Sequence, residues 1–169
     1  GGFFQSAQSD GPGGVRLQPA GDGALPSANS VALLVLLKLG RLGGEARYRQ
    51  AAEELLRRHS GPVRSHPQGF TFFLSALDFF HGPAAEIVVA GDSRAEDTAA
   101  LARALRRAYR PRTVLLLRPT ETAAPPVLSL APFTAAYGAG PGGRAQAYVC
   151  RNYSCLRPTS DPEEALRLL

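Results

Sequence analysis

From Ser30 to Leu42 apolar side chains fall on nearly every position, the pattern of a helix buried on most sides, and Ser27 or Asn29 stands ready to cap it. The Gly43-Gly44 pair ends that run. Tyr48, Ala51, Ala52, Leu55, Leu56 and His59 then recur at helical spacing, which predicts a second helix and, with the first, a helical hairpin. Gly61-Pro62 reads as a break. A third helix is predicted from Pro67 to Phe80, with Phe70, Phe73, Leu74 and Leu77 on one face and Phe72, Ala76 and Phe79 on another. Three such helices with short connections suggest part of a helical bundle or toroid.

The period changes at residue 86. Glu86 to Ala90 reads as a buried strand, Arg94 to Tyr109 as a helix and Thr113 to Leu117 as a second buried strand. This βαβ order places two parallel strands in one sheet. Pro125-Pro126 and the stretch from Gly138 to Gly143 mark a long connection before a third strand at Ala147 to Cys150. Asp161-Pro162-Glu163-Glu164 is a helix start, with Asp161 as cap, Pro162 at the first position and Glu164 completing a capping box. Residues 1 to 26 are rich in Gly, Pro and Ser and predict an irregular lead-in, with Phe3 and Phe4 as its apolar anchors. The expected organisation is therefore a lead-in loop over 1–26, helices over 27–84 and a small α/β segment over 85–169. The fold class is mainly α with an α/β end.

Composition changes this picture little. The net charge is +5 over 169 residues, but the basic residues are almost all Arg, spread along an Ala-, Gly-, Pro- and Leu-rich chain with no nucleic-acid-binding signature. The most apolar run, Val31 to Leu39, is interrupted by Lys38 and falls short of the roughly 20 residues that span a bilayer. Neither nucleic acid nor membrane is expected as a partner. The start at Gly1-Gly2-Phe3-Phe4, with no Met anywhere and no signal-like segment, reads as part of something longer.

Most residues of chemical interest have a plain reading. Arg103, Arg106, Arg107 and Arg110 form the solvated face of an amphipathic helix. Gly91-Asp92-Ser93 follows a strand without the glycine spacing of a dinucleotide fingerprint or the flanking glycines of a nucleophile elbow. Cys150 and Cys155 are spaced more widely than a Cys-x-x-Cys redox pair, and His59, His66 and His81 add no recognisable ligand spacing. Structural thiols and no metal are expected. Glu53-Glu54 and Glu163-Glu164 suit surface or capping roles. From Asp22 to Ser30 small polar groups crowd the start of an apolar helix, where a capped helix end is the plain reading and a polar ligand lining the functional one. A helix amino terminus offers free N–H donors and partial positive charge to a ligand hydroxyl or anion. Asp22 and Asn29 are the candidate ligand-binding residues there, and Ser27 and Ser30 the candidate cap or pocket rim.

Several segments in series, Gly-Gly-Phe-Phe at 1–4, DGALPSANSV at 22–31, EIVVAGDSRAEDTAAL at 86–101, AYVCRNYSC at 147–155 and TSDPEEALRLL at 159–169, resemble the last quarter of the spermatogenesis-associated protein 20 family. The Ser-Ala-Asn-Ser form at 27–30 is closer to its animal members. The resemblance implies a secreted parent with an amino-terminal thioredoxin-like domain and a six-hairpin α/α toroid similar to sugar epimerases and glycosidases. This chain would hold the terminal toroid helices and the α/β end, with the upstream toroid and thioredoxin-like domain as its partners in the same polypeptide. A small carbohydrate is the ligand such a toroid would take. The family's thioredoxin-like Cys motif lies upstream, so its role is not transferred to Cys150 and Cys155. Leu25 stands where relatives commonly carry a polar residue, often Glu, and the histidines that serve the epimerases have no matching motif here. No catalytic residue and no cofactor is carried over. The family's name links it to spermatogenesis and fertility.

Overall fold

A computed structural model describes residues 2–6, 16–151 and 154–169. The remainder of the expected lead-in loop, residues 1 and 7–15, and residues 152–153 of the AYVCRNYSC segment lie outside the described residues. The chain divides into two compact units, Gly1–His81 and Gly82–Leu169.

The first unit is helical. Helix α1 (Ala28–Gly43) starts where the Ser27 side chain accepts the N–H of Ser30, and it stops at Gly44, whose φ of 65° is a left-handed conformation suited to glycine. Its buried side chains are Asn29, Ser30, Leu33, Leu37 and Leu42. Val31 and Val35 are exposed, so the helix buries one stripe and not most of its circumference. Helix α2 (Ala46–Ser65) buries Ala52, Leu55, His59 and Val63 at the expected helical spacing. It runs through Gly61-Pro62, which the sequence marked as a break. A proline nitrogen leaves unpaired the carbonyl four residues back, here that of Arg58. Both residues are exposed, so water can take that carbonyl, and the ladder resumes as His66 N–H donates to the Pro62 carbonyl.

Pro67 does not open the third helix. Residues Pro67–Gly69 make a short 3-10 turn, and α3 (Thr71–His81) follows. Its buried residues are Phe73, Ala76 and Phe79, while Leu74 is exposed. Helix α1 packs against both α2 and α3.

The second unit is a four-stranded mixed sheet in the order β2-β1-β3-β4. Strand β1 (Ala85–Gly91) is buried throughout, which accounts for the unbroken apolar run from Ile87 to Ala90. It pairs in parallel with β2 (Thr113–Pro119) across the crossover helix α4 (Glu96–Arg107), as the βαβ reading requires. Strand β3 (Gln146–Arg151) pairs antiparallel on the other side of β1, and the two-residue β4 (Ser154–Cys155) forms the edge. One face of the sheet carries Ile87, Val89, Ala147 and Val149, packed with Leu101 and Leu105 of α4 and with Ala165 of α6 (Pro162–Arg167). Between β2 and β3 the chain forms the short helix α5 (Val127–Leu130) and two 3-10 turns.

Asp161 caps α6 as expected, its carboxylate accepting the Glu163 N–H at 2.9 Å. Glu164 closes the box by a different route. Its carboxylate bonds the Thr159 hydroxyl, and that hydroxyl accepts the Asp161 N–H at 3.1 Å.

Candidate functional site

The polar residues expected at the start of α1 do come together, and each has specific partners. One Asp22 carboxylate oxygen accepts the Ser27 N–H at 2.8 Å. The other accepts the N–H groups of Phe72 at 2.8 Å and Phe73 at 3.2 Å, in the first turn of α3. Asp22 is thus the amino-terminal cap of α3 as well as an anchor for α1. Burial works to raise its pKa, but hydrogen bonds from Ser27, Phe73, Ser30 and Phe72 together outweigh it and hold the carboxyl below its ordinary value.

Asn29 lies inside α1 and is completely buried, so it is not a cap. Its Oδ1 accepts the Phe3 N–H at 2.7 Å, while Nδ2 donates to the carbonyls of Phe3 at 3.0 Å and Pro19 at 2.8 Å. The amide reproduces a strand-like pairing with Phe3 and ties two parts of the lead-in to the helix. Phe3 is therefore held by its backbone, and its ring is half exposed. Phe4 is also exposed, with the Arg16 guanidinium 3.7 Å from its ring centroid. The two phenylalanines are not the apolar anchors the sequence suggested. Ser27 Oγ and Ser30 Oγ both donate to the Ala20 carbonyl, at 3.0 and 3.1 Å, which secures the last turn of the lead-in.

The other candidates occupy separate places. Arg103, Arg106, Arg107 and Arg110 are all exposed, and Arg103 pairs with Glu96 at 2.5 Å. Ser93 donates its N–H and hydroxyl to Glu121 across the carboxyl ends of β1 and β2. Glu53 makes a surface pair with Arg49 at 3.9 Å. His66 and His81 are exposed, whereas His59 is buried edge-on to Phe73 with ring centroids 6.0 Å apart. No group of three or more His, Cys, Asp or Glu among the described residues is placed to hold a metal ion, and no described helix is long and apolar enough to cross a membrane.

Two features were not read from the sequence. The first is an apolar groove of about 530 Å³ between α2 and α3, lined by Leu56, Val63, Phe73, Leu77 and Phe80 with Arg57 and Arg64 also contributing. The second is the state of the cysteines, which the sequence left open and which form a disulfide. Cys150 and Cys155 stand opposite each other across the β3–β4 pair. A strand ending in Cys, four intervening residues and a second Cys is the spacing of a hairpin that aligns two thiols, and this was the signal available.

A helical unit whose polar helix start is clamped by its own lead-in, joined in sequence to a mixed βαβ sheet unit, defines the class. No protein-family model and no solved structure matches the chain. Over its full length the chain is 34% identical to spermatogenesis-associated protein 20 of Homo sapiens. Over 92% of its length it is 33% identical to the protein of that name in Rattus norvegicus, and 32% identical to that in Mus musculus. The chain belongs to the spermatogenesis-associated protein 20 family. It spans about a fifth of the length of these relatives, covering 21%, 19% and 19% of them.

Proposed function

We propose that this chain is a structural, carboxy-terminal part of a protein that serves spermatogenesis and fertility, and that it holds no complete active site of its own. On this reading the first unit supplies the last helices of an α/α toroid and the second unit is an α/β segment that follows them. The observation that carries the reading is the use of the polar helix start. Both oxygens of Asp22 and all three hydrogen bonds of Asn29 go to the chain's own backbone, so a ligand would have to displace bonds that hold α1, α3 and the lead-in together. The link to spermatogenesis rests on the name of the relatives.

The rival reading is a sugar-converting enzyme whose pocket is completed by upstream hairpins, with Asp22 and Asn29 orienting a polyhydroxylated ligand. The two separate in the full-length protein. Binding of mono- and disaccharides is measured by calorimetry for wild type, Asp22→Asn and Asn29→Ala, alongside thermal unfolding. The structural reading expects lower melting temperatures and no change in whatever sugar binding the wild type retains. Lost binding at an unchanged melting temperature would establish the carbohydrate reading instead.

A further inference from the structure

The disulfide has two unlike ends. Cys150 is 3% exposed on the interior strand β3, whereas Cys155 is exposed on the edge strand β4. The Tyr137 hydroxyl lies 2.8 Å from Cys155 Sγ and 3.4 Å from Cys150 Sγ. A disulfide sulfur carries no proton, so the hydroxyl is the donor in both contacts. Tyr137 is held in this position by its ring, which lies against that of Tyr148 with centroids 4.6 Å apart. Burial first, and then the charge of Glu86, push its hydroxyl above the usual tyrosine range, so it keeps its proton through neutral pH. Glu86 is on this same face, paired directly with Cys150 across β1 and β3.

The bridge is also poorly placed as a staple. It closes a loop with a sequence separation of only 5, where the loss of unfolded-state entropy is least. Strand β3 is already held by six residue pairs with β1 and by the bridge of Ala147 to Thr159. Opening the disulfide leaves the β1–β3 pairs in place and removes a link only between β3 and the two-residue edge strand β4.

We propose that Cys150–Cys155 is a thiol-exchange site, at which an external dithiol attacks Cys155 and Cys150 departs as a thiolate beneath the Tyr137 hydroxyl. The incoming thiolate forms a bond to Cys155 Sγ as the Cys150–Cys155 bond breaks, and the electron pair passes to Cys150 Sγ. The second thiol of the reductant then displaces Cys155. The reductant leaves as a disulfide, two electrons remain on the chain, and the reductant's two protons complete the two cysteine thiols. Attack at the other sulfur is disfavoured because Cys150 is covered. The Tyr137 hydroxyl, 2.8 Å from the attacked sulfur and 3.4 Å from the leaving one, turns its proton toward Cys150 as charge develops there, and this donor offsets the neighbouring Glu86 carboxylate and lowers the barrier to opening.

The test uses the full chain, titrated with dithiothreitol, trapped with iodoacetamide and mapped by peptide mass spectrometry, with circular dichroism following the fold. Cys155 should be alkylated first and the covered Cys150 more slowly, while the spectrum stays native. In single-cysteine variants, glutathione disulfide should label Cys155 in Cys150→Ser about tenfold or more faster than it labels Cys150 in Cys155→Ser. Tyr137→Phe keeps the ring and should slow opening by about tenfold. If Tyr137→Phe does not fold, the two single-cysteine variants decide the matter. Opening only at reductant levels that unfold the chain, equal labelling of the two cysteines, or an unchanged rate in a folded Tyr137→Phe overturns the proposal.

Discussion

The carboxylate of Asp22 caps α3 from fifty residues away, accepting the Phe72 N–H at 2.8 Å with one oxygen while the other holds Ser27. A single side chain thus fixes the starts of α1 and α3 relative to each other. Asp22→Ala removes three charge-assisted bonds and leaves first-turn N–H groups of α3 without their acceptor, so a loss of about 2 kcal/mol is expected. Urea unfolding of the full chain measures it. The pH dependence follows from the direction of the shift. Because the folded carboxyl sits below its ordinary value of 3.8, its contribution is complete above that value and is lost as pH falls through the lower folded pKa. An acid limb near and below pH 4 should therefore weaken in Asp22→Asn.

Asn29 makes a separate prediction because it holds chain segments and not a helix end. Asn29→Leu fits a hydrophobic environment but strands the Phe3 N–H and the Phe3 and Pro19 carbonyls, at a cost of about 2–4 kcal/mol. Asn29→Asp retains the acceptor and loses both donors, placing a charge against two carbonyls. Limited proteolysis should cut residues 16–20 faster in both variants, and unchanged cutting would mean that the lead-in is held by something else.

Gly91 ends β1 where the chain passes under α4. A Cβ at this position would overlap Thr98 Oγ1 and press on Ala145 Cβ at 3.1 Å. Thr98 is 2% exposed and cannot swing into solvent, so Gly91→Ala is expected to cost about 1–3 kcal/mol. Gly82→Ala provides the contrast. The three atoms that its new methyl would meet first all belong to the Arg112 side chain and not to a fully buried residue, so a smaller loss than at Gly91 should follow.

The parts of the fold that were legible in the sequence are those set by local burial. Strand β1 is covered on both faces and therefore carries the uninterrupted apolar run from Ile87 to Ala90, while α6 announces itself through Asp161 and Pro162 because a cap acts within one turn. The failures are tertiary in origin. Gly61-Pro62 breaks a helix only where the lost bond cannot be replaced, and exposure of Arg58 and Pro62 allows replacement. At the start of α1 the sequence grouped Asp22, Ser27, Asn29 and Ser30, and the fold places them at the junction of the lead-in and that helix. The sequence could not assign their partners, because Phe72 and Phe73 become neighbours of Asp22 only after α3 has docked on α1. The disulfide depended likewise on the β3–β4 register, which places Cys150 opposite Cys155.

His59 supplies the last prediction, one that separates a buried imidazole from a functional one. It follows Ala52 and Leu55 and precedes Val63 on the buried stripe of α2, and its Nε2 has no hydrogen-bond partner among the described residues. Burial, and after it the charge of Arg58, depress its pKa below the ordinary 6.5. The neutral ring is thus favoured in the folded chain, while the unfolded chain protonates as pH drops through about 6.5. Stability should be at its plateau above that pH, fall as the unfolded state takes up a proton that the folded state refuses, and level off once pH passes the folded pKa. The slope from one such group cannot exceed about 1.4 kcal/mol per pH unit. Urea unfolding between pH 8 and pH 5 should show this decline, in a window above the one assigned to Asp22. His59→Phe keeps a ring beside Phe73 and removes the titrating nitrogen, so its profile should flatten through the same window. A variant that folds and still follows the wild-type profile would show that another group is responsible.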